Sequence, residues 1–329
     1  MPFNENQQPE PVENILHQHG NNIENIPPKP TVEESKIKVN VWVKSFVSLV
    51  LYIAIGYVFF NQNWTLVLIL SGVVIFHESG HFFAMKIYKY SDLGIFFIPL
   101  MGAYVSGTKQ TVSQKQSAVI LLAGPVPGIV AGIILHYLSG MYDNFLLERI
   151  AWILIYLNIL NLLPVYPLDG GQLLNRLFFD SYHIVGKIFI VLSAGALAYF
   201  AWRIAFYPLF IFPLMMLMRL VTDVQSDKLT TRIEEEGINL DTSYEDISDA
   251  EYWKIRNALI KHSSDFSDLQ TAPPYQYAEK ENKVMQAIQN LLQRSLYQDL
   301  SIAGKITILL LWIGCFFVPV LLHLPLRFF

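Results

Sequence analysis

The chain is poor in cysteine, in charge and in surplus basic residues, and each shortage excludes a class of protein. Its single cysteine, Cys315, excludes an internal disulfide and a zinc site built from cysteine ligands. Charged residues make up 15% of the chain against 53% hydrophobic ones, which is too apolar for an ordinary soluble protein of 329 residues. A formal net charge of −4 provides no basic field for nucleic acid. The composition therefore predicts a membrane protein that does not bind nucleic acid.

Apolar segments dominate the sequence, and most approach the roughly 20 residues that cross the hydrocarbon core of a bilayer. They lie at 45–60, 65–88, 116–138, 149–164, 184–206, 207–222 and 304–324. The segment at 149–164 is short, and 184–222 is either two spans or one span followed by an interfacial helix. We therefore predict an all-α polytopic protein with six to seven transmembrane helices in the lipid bilayer.

Composition also divides the chain into four parts. Residues 1–40 are rich in Asn, Gln, Glu and Pro and contain no apolar run, so we expect a disordered tail. Residues 41–222 hold most of the apolar segments and form the transmembrane core. Residues 223–303 are a small polar region with a helical pattern near 276–298, and residues 304–329 are a C-terminal transmembrane helix.

Lysines near the first span set the expected orientation. Lys36, Lys38 and Lys44 precede this span, whereas the connection to the second span carries no Lys or Arg. Because positive residues accumulate on the cytoplasmic side, we expect a cytoplasmic N-terminus and a cytoplasmic 223–303 region. The expected location is a multi-pass position in a bacterial-type cell membrane.

The second apolar segment contains an HExxH pattern, His77-Glu78-Ser79-Gly80-His81. Two histidines four residues apart share one helix face and can reach the same metal ion. Glu78 follows the first histidine, where it can touch a metal-bound water without being a ligand, which is the position of a general base. These three are the only ionisable side chains between residues 65 and 85. A zinc ion accounts for all three, and the alternative is a hydrogen-bonded cluster between helices.

Zinc with two histidine ligands needs a third protein ligand and an open position, and the fourth apolar segment offers Asp169. Pro164 and Pro167 break this helix, and the glycines after Asp169 allow tight backbone turns. Irregular backbone at membrane depth occurs where it is buried in protein or lines a wet cavity. The alternative is an ordinary helix stop with a solvated aspartate.

Together these motifs resemble the site-2 protease family of intramembrane zinc metalloproteases. The likeness rests on HExGH at 77–81 and on NxxPxxxxDG at 161–170, and residues 97–105 are similar to the family's hairpin. The resemblance implies a site-2 protease-like core with His77, His81 and Asp169 as zinc ligands and Glu78 as catalytic base. It also suggests that Asn161 donates a hydrogen bond to substrate or oxyanion, although capping or an interhelical contact is equally open. Gly128 departs from the family's pattern, which commonly has asparagine at that position.

The function implied by this resemblance is zinc-dependent hydrolysis of peptide bonds in a membrane protein, within or near the bilayer. The expected substrate is a single-span membrane protein, such as a membrane-tethered regulator. Residues 94–106 are predicted to form a small membrane-associated β-hairpin that either pairs with an unwound substrate strand or plugs the membrane surface. The alternatives are a non-catalytic zinc-binding regulatory protein with the same fold and a metal transporter.

Overall fold

The computed structural model describes residues 26–31, 40–99, 102–109, 112–179, 183–292 and 297–323, most of which are helical. The α-helices in chain order are α1 Val41–Phe59, α2 Trp64–Ile87, α3 Gln114–Ala123, α4 Pro125–Tyr142, α5 Phe145–Asn161, α6 Asp169–Leu174, α7 His183–Arg203, α8 Ile211–Glu235, α9 Asp249–His262, α10 Glu281–Leu291, α11 Ile302–Phe316 and α12 Val318–Leu321. A π-helical turn, Asn175–Phe179, continues α6. The predicted all-helical character is confirmed.

Within the described ranges, five helical stretches are long and apolar enough to cross a membrane. They are Val41–Phe59, Trp64–Ile87, Gln114–Tyr142, Ile184–Arg203 and Tyr207–Glu235. Two of the predicted spans are shorter helices, α5 with 17 residues and α11 with 15. Glu148 and Arg149 shorten the apolar part of α5, so the count by length alone is five. The chain is an integral membrane protein with several spans.

The predicted β-hairpin is present between α2 and α3. β1 (Ser91–Ile98) pairs antiparallel with β2 (Gly102–Thr108), and the sheet has these two strands in the described part of the chain. The Phe97 backbone N–H donates to Ser48 Oγ of α1 at 3.1 Å. The hairpin is therefore fixed against the first span as well as beside α2.

A buried apolar cluster joins α3, α4, α6 and α11 next to α2. Its fully buried members are Ala118, Leu122, Ile129, Leu162, Leu173, Leu177 and Cys315. The Trp312 indole N–H of α11 donates to the Leu162 carbonyl oxygen at 2.8 Å. The C-terminal helix thus packs on the loop that follows α5, and Cys315 is a packed core residue.

Residues 229–292 form a small helical domain, the α9–α10 domain, whose apolar core includes Ile233 of α8, Trp253 of α9 and Ile288 of α10. A capping box between Ser248 and Glu251 starts α9. Helix α8 runs without a break across residues 222 and 223, where composition had suggested a boundary. The transmembrane core and this domain are therefore joined by one continuous helix.

Residues 26–31 differ from the disordered tail predicted for residues 1–40. Ile26 packs against the apolar core of the α9–α10 domain, and Lys29 bonds to three of its backbone carbonyls. Composition predicted disorder because this segment cannot bury enough surface by itself, but the domain supplies that surface. Residues 1–25 and 32–39, the remainder of the predicted tail up to Asn40, lie outside the described residues, as do 324–329 at the end of the predicted last span.

Candidate metal centre

Helix α2 presents two histidines to one point inside the transmembrane core. His77 and His81 lie one turn apart on the same face, and both side chains are buried. Their Nε2 atoms are 3.1 Å apart. The structure therefore brings together the two histidines that the spacing predicts to share a metal.

Asp169 reaches this point from a tight loop. Helix α5 ends at Asn161, the chain reverses over residues 162–168, and Asp169 opens α6. The reversal requires glycine at position 170, because a Cβ there would lie 1.9 Å from the Leu162 carbonyl oxygen. Asp169 Oδ2 lies 3.1 Å from His77 Nε2 and 3.3 Å from His81 Nε2.

Hydrogen bonds on the far side of each imidazole fix its tautomer. His77 Nδ1 is 2.7 Å from Asn158 Oδ1, and His81 Nδ1 is 2.7 Å from the Ile120 carbonyl oxygen. The Asn158 amide nitrogen donates to the Leu154 carbonyl oxygen at 2.6 Å, so its oxygen faces the histidine. Both Nδ1 atoms therefore donate, and both Nε2 atoms turn lone pairs toward Asp169.

The spacing of the three ligand atoms fits a tetrahedral zinc ion. Atoms bound to zinc at about 2.0–2.1 Å in a tetrahedron lie roughly 3.3–3.4 Å from one another. His77, His81 and Asp169 form a buried group whose ligand atoms approach this separation. Asp169 Oδ2 is buried, with the two imidazole Nε2 atoms 3.1 and 3.3 Å away. Three converging acceptors in a buried site need a cation between them, and two imidazoles with one carboxylate suit zinc.

Sequence reasoning missed Asn158 as the partner of His77. The two residues are 81 positions apart, and their contact depends on how α5 packs against α2. The available signal was a second amide in the apolar helix α5, three residues before Asn161. A fully buried amide at membrane depth requires a partner, and the nearby histidine could have been named.

Gly128 of α4 makes room for the same asparagine. A Cβ at position 128 would lie 2.2 Å from Asn158 Nδ2, so the Asn158 side chain fills the space that a side chain at 128 would need. In this chain the polar group beside His77 therefore comes from α5. Where the family commonly has asparagine, this chain has Gly128, and the Asn158 amide of the neighbouring helix occupies the space beside it.

Glu78 is buried next to the first histidine, and its side chain is 6% exposed. It is not one of the three residues whose ligand atoms converge. Its carboxyl group instead borders the open space beside the metal centre. The structure thus leaves Glu78 free of the ligand group, as the sequence motif predicts for a base.

Comparisons with known proteins point in the same direction. A model of peptidase family M50 matches residues 65–145, which include both histidines and Glu78. Zinc metalloprotease MJ0392 of Methanocaldococcus jannaschii is 28% identical over 155 residues, which cover 45% of this chain and 45% of that protein. Over these residues the chain is similar to zinc metalloproteases of this family. The match spans a little under half the length of that curated relative.

One solved structure aligns with part of this chain. The Site-2 Protease from Methanocaldococcus jannaschii aligns with a TM-score of 0.41 and 20% sequence identity. The alignment covers 54% of this chain and 87% of that chain.

Two cavities meet at the candidate metal centre. One, of about 620 Å³, is mainly apolar and extends along the N-terminal half of α2, past Val67 and Leu70. The other, of about 490 Å³, extends toward the C-terminal end of α2 and is lined by Gln172 and Arg176. The residues that line both are His77, Glu78, Gly102, Ala103, Asn161, Pro167, Leu168 and Phe212. The site is therefore reached from an apolar side and from a more polar side, and the second cavity is called the polar cavity below.

Asn161, the last residue of α5, lies on the wall shared by the two cavities. Within the described ranges its side-chain amide makes no hydrogen bond, unlike that of Asn158. The two asparagines of α5 thus occupy different positions, one behind a histidine and one facing open space.

Proposed function

We propose that this chain is a zinc-dependent intramembrane endopeptidase that hydrolyses peptide bonds of single-span membrane proteins within or near the bilayer. The observation that carries the proposal is the buried triangle of His77, His81 and Asp169, with Glu78 beside it facing the cavities. A structural zinc site has four protein ligands and no need of an adjacent carboxylate, whereas a hydrolytic site keeps a position open. In the described residues this group offers three ligands.

Each residue has a definite task in this proposal. A zinc ion held at the centre would lower the pKa of a water molecule and polarise the substrate carbonyl. Glu78 accepts the proton of the attacking water and delivers it to the leaving amine. Asn158 and the Ile120 carbonyl oxygen hold the two imidazoles in the metal-binding tautomer. The Asn161 amide, which faces both cavities, donates to the substrate carbonyl oxygen.

The hairpin provides a surface for an extended substrate. A peptide bond in a helix is shielded by its own hydrogen bonds and side chains, so the substrate span must unwind before attack. In the described part of the chain β2 pairs with β1 alone, which leaves its other edge open. Gly102 and Ala103 of β2 line both cavities beside Glu78. We infer that the substrate adds to this edge as a third strand.

The two cavities suit different contents. The apolar cavity accepts side chains of the unwound substrate span, and the polar cavity admits water past Gln172 and Arg176. Lys86 and Lys109 flank the end of α2 from which the polar cavity opens. We place this end and the N-terminus on the cytoplasmic side of a bacterial-type cell membrane, with residues 41–222 as the protease core.

The deciding experiment is cleavage of a single-span reporter by the purified chain in detergent. Wild type, Glu78→Gln and chelator-treated protein are compared, and zinc is quantified in each sample. We expect about one zinc per chain in wild type and in the variant. Because the base contributes roughly 10²–10⁴-fold, cleavage by Glu78→Gln should fall by at least a hundredfold while the zinc content stays unchanged.

Glu148→Gln is the matched control, because Glu148 lies in the first turn of α5 and lines neither of the two cavities. Its cleavage rate should equal that of wild type. Stoichiometric zinc without cleavage of several different reporters by wild type would instead support the non-catalytic zinc-binding alternative. Absence of zinc from folded wild type, even after supplementation, would refute the metal centre itself.

A further inference from the structure

A proline-rich segment of the chain lies in an aromatic groove of the α9–α10 domain. The segment is Ile26-Pro27-Pro28-Lys29-Pro30-Thr31. Trp253 is the centre of the groove, with the Tyr275 ring centroid at 5.4 Å and the Tyr277 ring stacked at 5.7 Å. The Arg256 guanidinium lies 4.9 Å from the Trp253 ring on another side and is itself held by Glu281. The groove is thus assembled from groups that the domain core keeps in place.

Aromatic side chains donate hydrogen bonds to the backbone carbonyl oxygens of the segment. Trp253 Nε1 donates to the Pro27 oxygen at 2.9 Å, and the Tyr244 hydroxyl donates to the Pro30 oxygen at 2.7 Å. The Tyr277 hydroxyl donates to the Pro28 oxygen. Burial raises the pKa of Tyr244 to about 12, so its hydroxyl keeps its proton at neutral pH. Prolines have no N–H to donate, so binding through their carbonyls and rings is the mode that proline-rich ligands use.

Lys29 fills a separate pocket in the same groove. Its ammonium group donates to the carbonyl oxygens of Tyr244 at 2.8 Å, Glu245 at 2.8 Å and Ile247 at 2.7 Å. All three of its hydrogens are therefore satisfied by backbone. Its own backbone N–H donates to Asp249 Oδ1 at 2.7 Å, at the first turn of α9. Three converging carbonyls match a compact ammonium group and not the planar fork of arginine.

We propose that the α9–α10 domain is a peptide-binding module for a lysine flanked by prolines, and that the chain's own residues 26–31 occupy it as a displaceable clasp. Thr31 is nine residues before Asn40, the residue that precedes α1. A chain of nine residues spans at most about 30 Å. The clasp therefore holds the domain near the N-terminal end of the first span. Because the ligand is tethered, its effective concentration is on the order of millimolar, and modest intrinsic affinity is enough for occupancy.

The test uses the full chain and a version that begins at residue 32, both purified in detergent. A fluorescent peptide of residues 24–33 is titrated against each, and binding is followed by anisotropy. The shortened chain should bind the peptide saturably. Full-length protein should bind at least tenfold more weakly, because a peptide Kd of roughly 100 μM competes with a tethered copy at about 1 mM.

Variants of the peptide and of the domain test the chemistry of the site. Lys29→Ala in the peptide should weaken binding to the shortened chain at least tenfold, and Lys29→Arg should also weaken it. Trp253→Phe, which keeps an aromatic ring but removes the donor to Pro27, should weaken binding several-fold. Asp268→Asn is the matched control in the domain, since Asp268 pairs with Lys280 away from the segment, and it should bind like the parent.

Thermal unfolding checks that every variant is folded before titration. A folded shortened chain without saturable binding would overturn the proposal, as would equal affinity for the parent and Lys29→Ala peptides. Equal affinity of full-length and shortened protein would show that the tethered segment does not occupy the site, which also overturns it. The assay contains no protease substrate and needs no zinc, so its outcome is independent of the proposed enzymatic function.

Discussion

Replacing Asn158 by leucine removes the hydrogen-bond acceptor behind His77 while keeping four side-chain heavy atoms and the branch at Cγ. In wild type the Asn158 oxygen accepts from His77 Nδ1 at 2.7 Å, and the residue is fully buried. With leucine there, the Nδ1 proton has no acceptor at this position. The imidazole then rotates or moves its proton to Nε2, and either change removes a lone pair from the metal centre.

The size of the effect follows from the role of the contact. Loss of a hydrogen-bond partner behind a metal-binding histidine typically costs 10–100-fold in metal affinity, or about 1.4–2.8 kcal/mol. A buried donor left without a partner costs about 1–3 kcal/mol, which is the same range. We therefore expect the zinc dissociation constant of Asn158→Leu to rise by about 10–100-fold.

The assay is competition for zinc between the protein and a chromophoric chelator in detergent, with thermal unfolding of the zinc-free protein measured in parallel. Asn161→Leu is the control, because it removes the other amide of α5, which makes no hydrogen bond to His77 in the described part of the chain, and its zinc affinity should stay within a few-fold of wild type. Gly128→Ala should resemble the leucine variant, since its Cβ would lie 2.2 Å from Asn158 Nδ2 and push the amide away. Folded Asn158→Leu with wild-type zinc affinity would refute the tautomer argument.

Two further predictions concern stability. The buried Glu281 carboxyl tends toward a higher pKa by burial, but hydrogen bonds from Arg256 and Tyr252 outweigh this and hold its pKa below the ordinary value of 4.5. The contribution of the ionised Glu281 to folding stability is therefore complete above about pH 4.5 and is lost as the pH falls below that value. Glu281→Gln should destabilise α9 and α10 by about 3–5 kcal/mol at neutral pH, measured by hydrogen exchange. Unchanged exchange rates in this variant would contradict the prediction. Trp312→Phe removes the 2.8 Å bond to Leu162 and should cost about 1 kcal/mol, seen as a lower Tm in detergent, and an unaltered Tm would count against it.

The candidate ligands His77 and His81 could be proposed from the sequence because local rules position them. Helical periodicity alone puts His77 and His81 on one face of α2. Pro164, Pro167 and Gly170 indicate where α5 stops and how Asp169 can be presented from a turn. The pairing of the two histidines depends on residues four positions apart, whereas the assignment of Asp169 to the same site rested on the need for a third ligand and on the family resemblance.

Contacts between distant elements were beyond the same rules. The bond between Asn158 and His77 depends on the rotation of α5 against α2, and an apolar helix in a membrane provides little periodicity to predict it. The docking of residues 26–31 likewise depends on Trp253 and Tyr244, more than 200 residues away. Composition predicts that this segment does not order by itself, and it does not reveal a groove elsewhere that orders it.

Helix α8 joins the metal centre to the α9–α10 domain. Phe212 on the wall of both cavities and Ile233 in the core of the domain are 21 residues apart in this helix, or about 32 Å. Between them, Arg219 Nη1 donates to the Tyr166 hydroxyl at 2.5 Å, in the loop that precedes Asp169. Packed helices shift as units. A movement of the α9–α10 domain that is too large for side chains to absorb must therefore also move Phe212 or strain the bond between Arg219 and Tyr166. If residues 26–31 hold the α9–α10 domain near the first span, their release can therefore shift the cavity walls through helix α8, at the place where the substrate is proposed to bind.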